Sequence, residues 1–431
     1  MEEILLEQIE KQETKLLYVF SVTEGLKQFF PGRPFQIEYP FSLEAVPDAV
    51  LAVPFVCAVL PVVWITNAKL RLPELDEAFF NCIPAVKHGY ETMYPETEFR
   101  GVLEVGRIVP CARPAKPDCC GMFFSGGADS LDTLYRHLAE RPSLLAIWGS
   151  DIKYDNAEGW KPLETVIQES AYRYQLSTVF IHSSFREFDS EGQLNYVYAN
   201  RLKDNWWHGM KHGLALLGHV APYAYLTGMQ TMYIASTNSP EDGAVRCASN
   251  PLIDNQVRFA ACTVVHDGFE CSRQKKIGNI VRYAKQNHDS PQLHVCWETQ
   301  TGRNCCHCEK CFRTIVAILA EGGDPGEYGF PGYENSLPDL KEVLKRCHPE
   351  TIRRFWPAIQ EKLLQDKKQG IPISCEPMLR FVERANFKHP ESFQTSLRSR
   401  LKASSLREKL ARFRFYQYLH EIKASLRAKR S

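Results

Sequence analysis

The chain of 431 residues has almost no net charge, +1, with 52 lysines and arginines against 51 aspartates and glutamates. No global field therefore directs it to nucleic acid or to a membrane surface. It opens Met1-Glu2-Glu3, without the basic and apolar regions of a secretory signal, so the expectation is a cytoplasmic protein. It also lacks an unbroken hydrophobic run long enough to read plainly as a membrane span. The nearest, 49–66, approaches spanning length but is interrupted by Pro54 and Pro61. Its valines, Val50, Val53, Val56, Val59, Val62 and Val63, favour buried strands or a strand–helix pair. At 44% hydrophobic and 24% charged, the composition excludes wholesale disorder and leaves room for two or three domains. Cysteine is not scarce. Fifteen cysteines without a secretion signal point to a reducing compartment, with some thiols given to metal and others buried.

The most informative stretch is 122–134. Met122 to Phe124 reads as the end of a buried strand, and Ser125-Gly126-Gly127 is too glycine-rich to continue it. Asp129-Ser130, followed by Leu131, Leu134 and Leu138, reads as the start of a helix. A strand, a glycine turn and a helix N-terminus together form an anion site: backbone N–H groups converge, hydroxyls add donors, and the helix end favours negative charge. The Gly-Lys-Ser/Thr ending of a Walker A loop is absent. Without a wider match, the same string is an ordinary strand–turn–helix connection with a capped helix.

Residues 1–115 read as a separate mixed α+β domain, with strands near 16–22, 35–39 and 101–109 and a helix near 78–86. No chemical constellation stands out in it, and Pro110, Pro114 and Pro117 mark a linker. From 116 to 335 strands (144–148, 177–181, 231–235) alternate with helices (160–172, 213–224), the pattern of an open parallel α/β sheet. Gly149-Ser150-Asp151, His182-Ser183-Ser184 and Ser236-Thr237-Asn238 follow the strand ends, where such sheets bind ligands. An adenine or substrate pocket is expected beside Gly126-Gly127. Beyond 336 the periodicity is helical, at 340–347, 351–365 and 376–385. The chain closes on a basic stretch, 398–431, in which Leu406, Leu410, Phe413, Tyr416 and Leu419 recur at helical spacing. Such a helix either packs its apolar stripe or contacts RNA, an acidic protein partner or a membrane surface.

A second constellation is Cys296, Cys305, Cys308 and Cys311, separated by nine, three and three positions. Four thiolates at this spacing can surround a tetrahedral Zn²⁺; with all corners filled, the metal is structural. An iron–sulfur cluster, a redox dithiol and buried thiols without metal are the rivals, and Cys306 and His307 are nearby spare ligands.

The Ser125–Ser130 string, SGGADS, followed by this quartet and by Cys311-Phe312-Arg313, resembles the 7-cyano-7-deazaguanine synthases, PP-loop enzymes of the N-type ATP pyrophosphatase class. The resemblance covers roughly 118–320. It implies a sheet of the adenine-nucleotide alpha-hydrolase (HUP/PP-loop) type. It implies too that ATP, with Mg²⁺, activates a carboxylate as an acyl-adenylate, that pyrophosphate departs, and that ammonia or another nucleophile then attacks. Ser125, Gly126, Gly127, Asp129 and Ser130 would hold phosphate, with His212 at a nucleotide-facing position. Asp129, Arg273 and Lys276 would be the catalytic charges, and Asn238, Asn250 and Asp254 the substrate contacts. The stretch Ser236–Asp254 departs from the synthases' Tyr-Pro-Asp-Cys-Arg pattern, so the acceptor is not transferred with the resemblance. A PP-loop RNA-modifying enzyme and a nucleotide-binding interaction module without turnover are the alternatives.

Overall fold

Short β-branched and aromatic runs form the strands of one sheet: β1 Glu3–Gln12, β2 Lys15–Val22, β3 Phe35–Glu38, β4 Lys69–Asp76, β5 Val102–Val109, β6 Cys120–Phe123, β7 Ser143–Trp148, β8 Thr178–Ser183, β9 Thr231–Ala235, β10 Arg258–Phe259 and β11 Cys262–Asp267. This is a computed structural model, and it describes residues 1–111, 119–296, 298–299 and 303–393. The basic stretch 398–431 lies outside the described residues. The strands order as β10-β11-β9-β6-β7-β8-β3-β2-β1-β4-β5.

The five strands β11-β9-β6-β7-β8 are mutually parallel and nearly all apolar, as strands covered on both faces must be. Their order in chain sequence is third, second, first, fourth, fifth from the β8 side, so the direction of winding reverses between β6 and β9. The crevice beyond the carboxyl ends of these two strands is where a sheet of this kind accepts a ligand. The expectation of an open α/β sheet holds.

The sheet does not stop at the boundary expected near residue 115. Strand β3 pairs antiparallel with β8, Ile37 opposite Ser183, and carries β2, β1, β4 and β5 beyond it. Side chains reinforce the join: Tyr39 donates to the His219 carbonyl at 3.1 Å, and Ser184 Oγ to the Pro34 carbonyl at 2.9 Å. The compact unit runs Met1–Tyr333, and a second begins at Glu334.

The valine run forms helix, not strand. After a single turn, α1 Asp48–Leu51, it makes α2 Val53–Thr66, in which every residue from Val53 to Ile65 is buried. A helix packed on all sides selects for bulk and apolarity, and this overrides the strand preference of valine. Pro54 sits at the helix start, where its missing N–H costs nothing. No helix among the described residues is long and apolar enough to cross a membrane.

The remaining helices of the first unit are α3 Glu77–Met93, α4 Ala128–His137, α5 Ala157–Tyr174, α6 Glu191–Leu202, α7 Leu214–Gly218, α8 Ala221–Thr227, α9 Pro251–Asp254, α10 Arg273–Asn287 and α11 Glu309–Ala320. The long helix expected over 213–224 is broken. Trp207–Lys211 is a π-helical turn, and Gly213 follows it at φ +68, where a Cβ would lie 2.8 Å from Asp254 Oδ1. The second unit contains α12 Leu337–Arg346, α13 Pro349–Lys368 and α14 Pro377–Arg384, matching the helical periodicity there.

His219, after α7, is fully buried. The Ala215 carbonyl, 2.6 Å away, can only accept, so Nδ1 carries the proton. Nε2 then accepts from Ser183 Oγ at 2.8 Å, which requires a neutral ring. Burial accordingly pulls its pKa down to about 4. Unfolded chains protonate histidine near 6.5. The folded state is therefore fully stabilised above 6.5 and loses stability as pH falls from there towards 4, by up to about 3 kcal/mol. Urea denaturation at pH 7 and pH 4.5 should show that loss, and His219→Gln should flatten it.

Candidate functional site

β6 ends at Phe123, and its apolar side chains give way to Ser125-Gly126-Gly127 at the β6–β9 reversal. Gly126 has φ +71, and a Cβ on it would lie 3.1 Å from Val166 Cγ1. Both restrict the position to glycine. Gly127 is the N-cap of α4, and Asp129 occupies the first turn. Ser125 is exposed at the loop's mouth. Ser130 Oγ turns back to the Gly127 carbonyl at 3.0 Å.

Asp129 does not cap its helix. Its Oδ2 accepts from Arg273 Nη1 at 2.7 Å, and Lys276 Nζ stands 3.7 Å from its Oδ1. Both cations come from the first turn of α10, 144 residues later in the Arg273 pair. Residues expected to act together are thus brought together. Arg273 faces a cavity of about 620 Å³, lined also by Ser125, Gly127, Asp129 and Ser130. Lys276 is buried behind it and donates to the Ser236 carbonyl, tying the end of β9 to the loop.

The packing of α4 on α10 sets this geometry. Asp132, fully buried, accepts from Asn279 Nδ2 at 2.9 Å and pairs with Arg136 Nε at 3.3 Å. Burial raises its pKa, against the pull of Asn279 and Arg136. Arg136 continues to Asp267 at 2.7 Å, at the end of β11.

The cysteine quartet closes another side of the same cavity, with Cys296 in its wall. His294 N donates to the Gly126 carbonyl at 2.8 Å, so the chain leading to Cys296 is pinned to the Ser125–Ser130 loop. Asn304 clamps that chain from the other side: Oδ1 accepts from Val295 N at 3.0 Å, and Nδ2 donates to the Leu293 carbonyl at 2.7 Å. Cys308 is the N-cap of α11, and its sulfur accepts from Cys311 N at 3.4 Å, while Cys305 Sγ accepts from His307 N at 3.4 Å. All four sulfurs lie within 4.8 Å of one another, with Cys296–Cys308 at 3.9 Å and Cys305–Cys311 at 3.8 Å. A tetrahedron with metal–sulfur bonds of about 2.3 Å requires sulfur–sulfur edges of about 3.8 Å, so the four thiols fit a metal ion.

The other expected contacts divide. His212 lines the 620 Å³ cavity. Asn238 and Asn250 line a neighbouring cavity of about 550 Å³ with Met93, Leu252 and Phe269. Asn250 also caps α9, accepting from Leu252 N at 2.9 Å. Asp254 lines neither cavity. It lies behind the wall, accepting from Ser249 Oγ and His266 Nδ1, each at 2.8 Å, because a carboxylate without solvent needs such partners.

Sequence reasoning did not assign Lys310, Trp160 or His208 to this cavity. Lys310 enters the larger cavity from the first turn of α11, one residue before a cysteine already singled out. Trp160 and Leu163 give that cavity an apolar side. His208 joins the same wall from the π-helical turn Trp207–Lys211, and no local spacing signals it.

Comparison with protein-family models, with curated proteins and with solved structures finds no match to this chain.

Proposed function

We propose that the protein is an ATP-dependent, AMP-forming ligase of the PP-loop kind, which adenylates a carboxylate and releases pyrophosphate. The observation that carries this reading is the convergence of Arg273 and Lys276 on Asp129 in the first turn of α4. It sits beside a glycine turn at the reversal point of a parallel sheet. Anion donors and cations are thereby concentrated where a triphosphate can lie, without a Walker lysine.

In this reading the N–H groups of the Ser125–Ser130 loop and Arg273 bind the β- and γ-phosphates. Trp160 and Leu163 offer an apolar surface for the adenine. The carboxylate of the second substrate attacks the α-phosphorus, and the bond to pyrophosphate breaks. Arg273 and Lys310 balance the charge that accumulates on the departing group. Mg²⁺ would share that charge, with Asp129 as the carboxylate in reach: its Oδ1 has no hydrogen-bond donor. The cysteine quartet would hold a structural Zn²⁺, whose role is to fix Cys296 and α11 against the loop. The neighbouring cavity beside Asn238 and Asn250 would receive the acceptor or the body of the carboxylic acid.

The test is product analysis. Purified protein with ATP, Mg²⁺ and a panel of carboxylates should yield AMP and pyrophosphate in equal amounts. ADP and phosphate instead would refute the reading.

A further inference from the structure

The smaller cavity, of about 550 Å³, has in its wall an imidazole that adenylation does not use. His266 stands near the carboxyl end of β11, in register with Ile234 of β9, at the end of the sheet where ligands bind. The turn α9 and the residue after it hold this histidine twice. Asn255 Oδ1 accepts from His266 N at 2.7 Å, and Asp254 Oδ2 lies 2.8 Å from His266 Nδ1. A carboxylate only accepts, so Nδ1 carries the proton, and in the neutral ring the lone pair is left on Nε2. The carboxylate is itself fixed: Ser249 Oγ donates to Asp254 Oδ2 at 2.8 Å, and Asp254 N donates to the Asn250 carbonyl at 2.8 Å. Asp254 lies behind the wall, whereas the imidazole lines the cavity. Among the described residues nothing bonds Nε2, and that atom is not sealed in the interior. An imidazole oriented by a carboxylate, with its other nitrogen open to a cavity, is equipped as a general base.

We propose that the smaller cavity binds the acceptor, a primary amine carried on an apolar group, and that His266 takes the amine proton during amide formation, with Asp254 positioning the ring. The proposal rests on the adenylation reading. A carboxylate attacking the α-phosphorus has no proton to lose, whereas an amine attacking an acyl-adenylate must lose one. A base therefore belongs with the amine. The two cavities adjoin: Ser249 is in the wall of both, and Thr237 of the larger is followed by Asn238 of the smaller. The neutral amine nitrogen attacks the acyl carbon, the carbon–oxygen bond to phosphate breaks, and AMP leaves with the electron pair. One N–H proton passes to His266 Nε2 and from there to solvent. Acyl-adenylate and amine become amide, AMP and a proton, with no change of oxidation state.

The walls fit an apolar body. Met93, Val245, Leu252 and Phe269 line the cavity, and Phe269 meets the His266 ring edge-on with centroids 6.2 Å apart. Leu252 is 48% exposed, so the wall includes apolar surface that a ligand would cover. Arg246, in the same wall, is engaged by both carboxylate oxygens of Glu96 and lies over the Tyr94 ring. Its charge is balanced before a ligand arrives, so the cavity does not select an anion. Each methylene taken out of water strengthens binding about fourfold, which favours an alkyl or benzyl amine over ammonia.

The full chain, with ATP, Mg²⁺ and a carboxylate that supports exchange of labelled pyrophosphate into ATP, is given ammonia, butylamine or benzylamine. Amide formation is followed by mass spectrometry. KM, expressed as free base, should be at least about tenfold lower for butylamine and benzylamine than for ammonia. Ammonia used as well as either overturns the acceptor assignment. In His266→Gln, amide formation should fall about a hundredfold relative to pyrophosphate exchange. A ratio equal to that of the wild type overturns the base. Added imidazole should speed amide formation in His266→Ala by at least about tenfold, which a residue that only supports the wall would not allow. No rescue in a His266→Ala protein that still exchanges pyrophosphate overturns the base. Equal rescue when Asp254→Asn is added overturns the positioning role of Asp254. Pyrophosphate exchange from no carboxylate of the panel overturns adenylation, and the acceptor site with it.

Discussion

Cys308→Ser should lose its metal and much of its thermal stability. Cys308 does two things at once: it supplies one of four sulfurs, and it caps α11 by accepting from Cys311 N. Serine can still cap the helix, so the loss isolates the metal. Structural zinc in small domains binds with roughly 10–16 kcal/mol of apparent free energy, and that binding is folding free energy. Most of the first unit has its own core, so only part of this is expressed as global stability, and a fall of roughly 10 °C in melting temperature is expected. Elemental analysis of the wild type should find about one zinc per chain, and the variant close to none. An iron–sulfur absorption band, or metal content unchanged in Cys308→Ser, would contradict the assignment. Because His294 ties the same segment to Gly126, nucleotide binding should weaken along with the metal loss.

Asp129→Ala should separate binding from turnover. The substitution removes the carboxylate that Arg273 and Lys276 now face, leaving two cations unopposed at the glycine loop. Phosphate affinity measured without divalent cation should therefore be retained or increased. AMP release should fall by on the order of 10²–10³, because the group that orients both cations, and that would meet Mg²⁺ in the proposed reaction, is gone. Arg273→Ala should behave in the reverse way. It deletes a charged donor in the cavity, worth about 1.5–3 kcal/mol, and nucleotide affinity should drop roughly 10- to 100-fold. Equal losses of affinity and turnover in both variants would argue that the cluster is only a structural ion pair. Calorimetric titration and single-turnover kinetics check the two quantities separately.

What was legible in the sequence was local chemistry. The SGGADS string announces a strand, a φ-positive glycine and a helix start, and these depend on residues within a few positions of one another. The cysteine spacing is legible for the same reason: Cys305, Cys308 and Cys311 occupy one turn and the first turn of α11. Arg273 and Lys276 were visible as charges three apart on one helix, but only the α4–α10 packing turns them towards Asp129.

Where tertiary structure decides, sequence patterns mislead. Residues 53–65 contain strand-favouring valines yet form helix, because every side chain there is buried and strand preference is weaker than packing. The pairing of Ile37 with Ser183 joins strands separated by more than a hundred residues, and nothing near either announces it. Of the expected linker prolines, Pro114 and Pro117 lie outside the described residues. His208 reaches the cavity wall from the π-helical turn Trp207–Lys211, and nothing near it in the sequence signals that position.

The central claim is that the α-phosphorus of ATP is attacked by a carboxylate oxygen, and isotope transfer tests it most directly. A carboxylate that supports AMP release is prepared with ¹⁸O in both carboxyl oxygens and turned over with ATP, Mg²⁺ and an amine. Adenylation predicts that each AMP formed carries one ¹⁸O, taken from the acid, while the amide keeps the other. AMP without label, or label retained entirely in the carbonyl product, would contradict it.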